Sequence, residues 1–110
     1  MRSEGERPLD ILEAIERIEK YAEEGKDTFE ADELIQTWVV HHITIIGEAC
    51  RALSDDFQAE HANVPWADIV AMRNILVHHY FGIDTDAVWS VFERDLPELK
   101  LNIKTILKDL

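Results

Sequence analysis

The chain reads as an all-α protein, a bundle of four to five helices in up-down order. Three observations predict it. Apolar residues recur at spacings of three and four along almost the whole length, the period of a helix with one buried face. No segment alternates apolar and polar residues in the strand period. Glycine, proline and capping residues fall between the periodic stretches, where helices begin and end.

The elements follow in order. Residues 1–7 are polar and are expected to form a flexible N-terminal tail. Ile11, Ile15, Ile18 and Ala22 share one face, so Leu9 to Glu24 predicts an amphipathic helix, stopped by Gly25. Asp27 followed by Glu30 has the form of a capping box. A long helix is expected from about Ala31 to Leu53. Its stripe of Leu34, Ile35, Trp38, Val39, Ile43, Ile46, Ala49, Cys50 and Leu53 is wide enough to pack on two sides. Asp55 to His61 is a short helix or a loop. Pro65 suits the first turn of the next helix, where its missing N–H is not needed, and Gly82 ends that helix. Asp84 or Thr85 caps a further helix with Val88, Trp89 and Phe92 as core. Pro97 either kinks that helix or starts a last one carrying Leu99, Ile103, Ile106 and Leu107.

With 110 residues the chain makes one domain over 1–110, enough for a single core and not for two. No apolar run approaches the ~18 residues that cross a bilayer, so no membrane partner is expected. The lone Cys50 has no intrachain disulfide partner. With a polar N-terminus lacking a signal-peptide core, these features predict a cytoplasmic protein.

Chemistry concentrates in Arg73-Asn74-Ile75-Leu76-Val77-His78-His79-Tyr80. Here a fixed cation, an amide, an imidazole and a phenol stand within about two helical turns. Arginine offers a planar fork of donors for phosphate, and histidine titrates nearest neutrality. Together they suffice for RNA cleavage without metal or other cofactor. The imidazole moves a proton at the ribose 2′-OH or the leaving oxygen, while the guanidinium stabilises charge on the phosphorane. On an ideal helix with Arg73 at 0°, Asn74 falls near 100°, His78 near 140° and Tyr80 near 340°. Asn74 and His78 are i,i+4 neighbours, so the amide is placed to hold the imidazole in one tautomer. Met72, Ile75 and Leu76 project toward about 200–300°, which predicts a core face on that side.

Other chemistries find less support. Adjacent histidines such as His41-His42 or His78-His79 point about 100° apart on a helix, which makes no chelate; no metal site is expected. Cys50 and the hydroxyl residues lack a nucleophile context, and no glycine-rich phosphate loop is present. Trp38, Trp66 and Trp89 read as core anchors.

The motif helix resembles the HEPN superfamily, whose signature is Arg, four to six residues, then His. It is more narrowly similar to HepT-type toxins, with Arg, four residues, His, one residue, Tyr: here Arg73, His78 and Tyr80. The likeness extends to Pro65-Trp66, to Ile45-Ile46-Gly47-Glu48-Ala49, to Tyr80-Phe81-Gly82-Ile83-Asp84 and to Asp95-Leu96-Pro97-Glu98-Leu99, over roughly Leu9 to Leu107.

The resemblance implies a metal-independent endoribonuclease, the toxin of a bacterial toxin–antitoxin pair. Arg73 and His78 are then catalytic and Asn74 orients. Read from the residues alone, Arg73 is a surface arginine pairing with an acid of the long helix such as Glu48, and that pair would also fix the guanidinium while leaving donors for phosphate. It also implies a homodimer through the motif helices, which doubles the arginine and histidine around one RNA phosphate. The partner it implies is an MntA-type nucleotidyltransferase antitoxin that attaches AMP to Tyr80. The alternative is a non-catalytic HEPN module that partners or presents substrate to a nucleotidyltransferase.

The charge of −12 runs against nucleic-acid binding, which usually draws on a basic patch. The acids cluster in Glu13 to Glu33 and Asp55 to Glu60. An RNase of this charge needs a local positive cleft, Arg73 doubled by symmetry and helped by Arg51. The acidity also suits the docking of a basic partner.

Overall fold

The computed structural model describes residues 6–77 and 84–109; for residues 73–77 the description extends to the helical backbone alone. Helix α1 spans Glu6–Ala22 and turns Ile11, Ala14, Ile15, Ile18 and Ala22 inward. It begins before the predicted Leu9, with Glu6 and Arg7 inside the helix and Pro8 buried at its first turn. Gly25 then reverses the chain at φ +102°, a conformation open to glycine at no steric cost.

A short helix, α2 (Lys26–Ala31), follows and buries Phe29. The predicted capping box is not formed. Gly25 stands at the N-cap with no side-chain bond, and Asp27 sits within the first turn. Asp32 is the cap instead: in extended conformation it breaks α2 from α3 (Glu33–Ala52), and its carboxylate accepts from Leu34 N at 2.9 Å and Ile35 N at 3.3 Å. These are two of the amides that a helix start leaves without partners.

Helix α3 is the centre of the molecule. It packs on α1 along one side and on α5 (Trp66–Val77) along the other, as its broad stripe predicts. Against α1 it runs antiparallel, since Trp38 meets Arg17 and Tyr21 while His42 lies beside Glu13 and Ala14. Ile35, Val39, Ile43, Ile46, Ala49 and Cys50 are buried as expected. Two positions differ. Leu34 is 83% exposed, and His42 takes a place in the core.

Helix α4 (Asp55–Glu60) is capped by Ser54, whose hydroxyl accepts from Phe57 N at 3.1 Å. Gln58 Nε2 reaches back to the Cys50 and Leu53 carbonyls at 3.0 and 3.4 Å, satisfying the open end of α3. Asp84 caps α6 (Thr85–Ser90) through Ala87 N at 3.1 Å.

The alternative at Pro97 resolves as a deformed but continuous helical path. A π turn at Val91–Asp95 joins α6 to α7 (Leu96–Asp109), with Leu96 N–H donating to the Val91 carbonyl. Proline has no N–H, and its ring crowds the carbonyl four residues back, here Glu93. Widening the preceding turn relieves that crowding. Leu96, Leu99, Ile103 and Ile106 then bury against the rest of the core, and α7 packs on α1.

Among the described residues the protein is therefore all-helical. Long stretches α1, α3, α5 and the α6–α7 run form the bundle, and α2 and α4 are short connecting helices. No described helix is long and apolar enough to cross a membrane.

Candidate active site

Helix α5 is fixed at its start. The Trp66 indole donates to the His61 carbonyl at 3.0 Å, and its ring meets Phe57 edge-on at 6.4 Å. Trp66 is 5% exposed, so it is a core anchor rather than a platform for a base. The Pro65 carbonyl accepts the first helical bond from Ile69 N at 3.1 Å, which puts proline one step before the helix rather than inside it.

Among the described side chains of this helix Trp66 and Ile69 are buried, and Val70 and Met72 are partly covered. Ala67, Asp68 and Ala71 are exposed. Arg73 follows Ile69 by four residues and Trp66 by seven in the helical backbone of α5. Of the core face that the sequence predicts around Met72, Ile75 and Leu76, Met72 is packed against the core, and the side chains of Ile75 and Leu76 lie outside the described portion. Apolar residues surround α5, so periodicity selects no face, and the helix packs on α3 with Trp66 and Ile69 buried.

Arg73 and Asn74 thus stand in α5, with their side chains outside the described portion, and His78 and Tyr80 lie outside the described residues. Glu48 is exposed on α3, one residue from buried Gly47 and Ala49. Arg51 is exposed in the last turn of α3, where a cation suits the helix dipole.

The groove between α5 and α7 is a poor phosphate site. Asp68, Asp95 and Glu98 line it, beside Ile69, Met72 and Leu99, and repel an anion. Cys50 is fully buried, and burial pushes its thiol up to about 12, so no thiolate forms near neutrality. No group of three metal-binding side chains converges among the described residues.

His42 escapes the sequence reading, which treats it as half of a tandem pair. Its signal is register: it follows Trp38 by four and precedes Ile46 by four, on the buried stripe. Its Nδ1 is 2.8 Å from the Trp38 carbonyl and its ring lies 4.4 Å from the indole. The contact makes Nδ1–H the donor of the neutral ring. Burial lowers its pKa, opposed by that hydrogen bond and aided by His41 and Arg17. Trp38 and Trp89 are partly exposed packing residues. Trp38 carries Tyr21 on its face, and Trp89 stacks on Phe29 at 5.5 Å.

Comparison with known proteins gives a consistent picture. A family model described as ribonuclease HepT-like matches residues 11–106. The chain is 37% identical over 100 residues to "Probable ribonuclease HepT" of Thermococcus cleftensis, covering 90% of this chain and 91% of that protein. It is 39% identical over 101 residues to the "Gamma-glutamylcyclotransferase and putative RNase" of Methanocaldococcus jannaschii. That alignment covers 91% of this chain but 46% of the relative, so the chain spans about half of that longer protein. No solved structure matches.

Proposed function

The chain belongs to the HepT-like ribonuclease family, and on that premise we propose that it is a metal-independent endoribonuclease, the toxin of a toxin–antitoxin pair. The observation that carries the reading is the match over residues 11–106, which encloses Arg73, four residues, His78, one residue and Tyr80. In the reaction the ribose 2′-OH attacks the adjacent phosphate and the 5′-oxygen leaves. His78 handles the proton, Arg73 binds the phosphate and stabilises its developing charge, and Asn74 orients the imidazole.

The helix register supports a Glu48–Arg73 pair. Trp66 lies by Phe57, near the C-terminal end of α3, and α5 packs along α3 from there. Seven residues of rise carry the Arg73 backbone roughly 10 Å back along α3, to the stretch that holds Glu48. A carboxylate there would fix the guanidinium, and the fork of arginine keeps donors for phosphate. A homodimer through α5 doubles the positive charge at the scissile linkage, which a chain of net charge −12 requires. A nucleotidyltransferase antitoxin silences the enzyme by placing AMP on Tyr80, where a phosphoester adds negative charge and bulk beside Arg73.

The test expresses wild type, Arg73→Ala and His78→Ala in a bacterial host, and assays purified proteins on RNA with a metal chelator present. Growth inhibition and cleavage are expected from wild type alone, each variant losing roughly 100-fold or more in rate. Undiminished cleavage by folded His78→Ala defeats the assignment. Co-expression with the nucleotidyltransferase is expected to add the mass of AMP, and a gain that persists in Tyr80→Phe rejects that site. The acidity favours one other reading, a non-catalytic module bound to a nucleotidyltransferase; harmless wild-type expression with tight binding to that enzyme supports it.

A further inference from the structure

The end of the molecule formed by the C-terminal part of α1 and the start of α3 carries an apolar groove that the proposed nuclease chemistry does not use. Tyr21, Leu34, Ile35 and Trp38 line it, and Glu24 and Asp32 rim it. Leu34 is the most exposed large apolar side chain among the described residues, at 83%. A single exposed leucine is ordinary. This one borders an aromatic pair, Tyr21 edge-on to Trp38 at 5.3 Å, so the apolar surface is contiguous. Tyrosine and tryptophan are the residues that anchor protein interfaces.

Charge selects the occupant. Between Glu13 and Glu33 stand nine carboxylates and three cations. Those cations are engaged. Arg17 pairs with Glu13 at 2.8 Å, Lys26 with Asp86 at 3.4 Å, and Lys20 lies over the Tyr21 ring at 5.5 Å. Glu24 lines the groove and is exposed, and Glu23 and Glu33, next in sequence to the lining residues Glu24, Asp32 and Leu34, are exposed too. A second copy of this chain would bring carboxylate against carboxylate, and RNA would bring phosphate against carboxylate. A protein segment with an apolar face flanked by lysine or arginine satisfies both halves of the surface.

We propose that the Leu34–Trp38 groove is a docking surface for a basic, amphipathic segment of a partner protein. The acidic rim sets encounter rate and selectivity, and the leucine and aromatic floor supplies the short-range contact. The described lining of this surface lies on the α1–α3 seam, so Leu34, Glu24 and Glu33 can be varied without altering Arg73, Asn74, His78 or Tyr80.

The probe is a fluorescein-labelled helical peptide of leucines and lysines, with a leucine–glutamate peptide as its counterpart. Fluorescence anisotropy is read against wild type, Leu34→Ser and the double variant Glu24→Gln, Glu33→Gln, with thermal melts confirming that each is folded. The lysine peptide is expected to bind wild type. Leu34→Ser weakens it about ten-fold or more, and the double variant weakens it several-fold with a flatter salt dependence. The glutamate peptide is not expected to bind. Equal affinity of both variants and wild type, absence of binding to wild type, or binding of the glutamate peptide overturns the proposal. So does sedimentation showing that Leu34→Ser disperses a dimer, which assigns the groove to a second copy.

Discussion

The indole nitrogen of Trp38 donates to the main-chain carbonyl of Arg17 at 2.9 Å, a bond that crosses the α1–α3 seam between residues 21 apart in sequence. It fixes the register of the two largest packing partners in the bundle. Trp38→Phe keeps most of the ring and loses the donor. The expected cost is about 1 kcal/mol, read as a lower urea midpoint with unchanged slope. Trp38→Ala also loses the packing with Tyr21 and His42, so its midpoint is expected to fall further.

Asp32 supplies the start of α3 with a carboxylate cap for two amides. Asp32→Ala is expected to destabilise by about 1 kcal/mol, and Asp32→Asn by much less, because asparagine caps nearly as well. An equal loss in both variants would show that charge, not capping, is the contribution. Asp27→Ala, by contrast, removes no cap and is expected to shift stability little.

His42 predicts a pH dependence whose sign follows from its burial. Its folded pKa is lowered, so the unfolded chain binds the proton more readily. The stabilisation is present above the unfolded value near 6.5 and is lost as pH falls through that value toward the folded pKa. The groups facing the ring are Trp38 O, His41, Arg17 and Glu13. Unfolding free energy is expected to drop as pH falls from about 7.5 to about 5.5. In His42→Gln the same interval flattens. If the two profiles run parallel, His42 is not the group responsible.

Cys50 is expected to resist thiol reagents in the native protein and to react at once in denaturant, since it is buried and its thiol is pushed up to about 12. Labelling followed by mass spectrometry reads this directly. Cys50→Ala is expected to leave RNA cleavage intact, as the thiol has no part in the proposed chemistry.

The helices themselves were legible because their causes are local. The apolar spacing of Ile11, Ile15 and Ile18, the Gly25 stop and the Asp84 cap all act within a few residues of chain. The Arg73, His78, Tyr80 pattern was equally readable, being a matter of order and spacing. The cap at Asp32 was misplaced onto Asp27 because both aspartates precede a helical stretch, and only the extended backbone at Asp32 separates α2 from α3.

Sequence alone determined that the described residues of this chain are helical, where the bundle helices run, and which family the chain joins. Tertiary packing decided which face of each helix is covered. It took His42 into the core, left Leu34 in solvent and buried Trp66 and Ile69 at the start of α5. The reason is physical: a helix with apolar residues on more than one side has no preferred interior until a neighbour's surface excludes water from one of them.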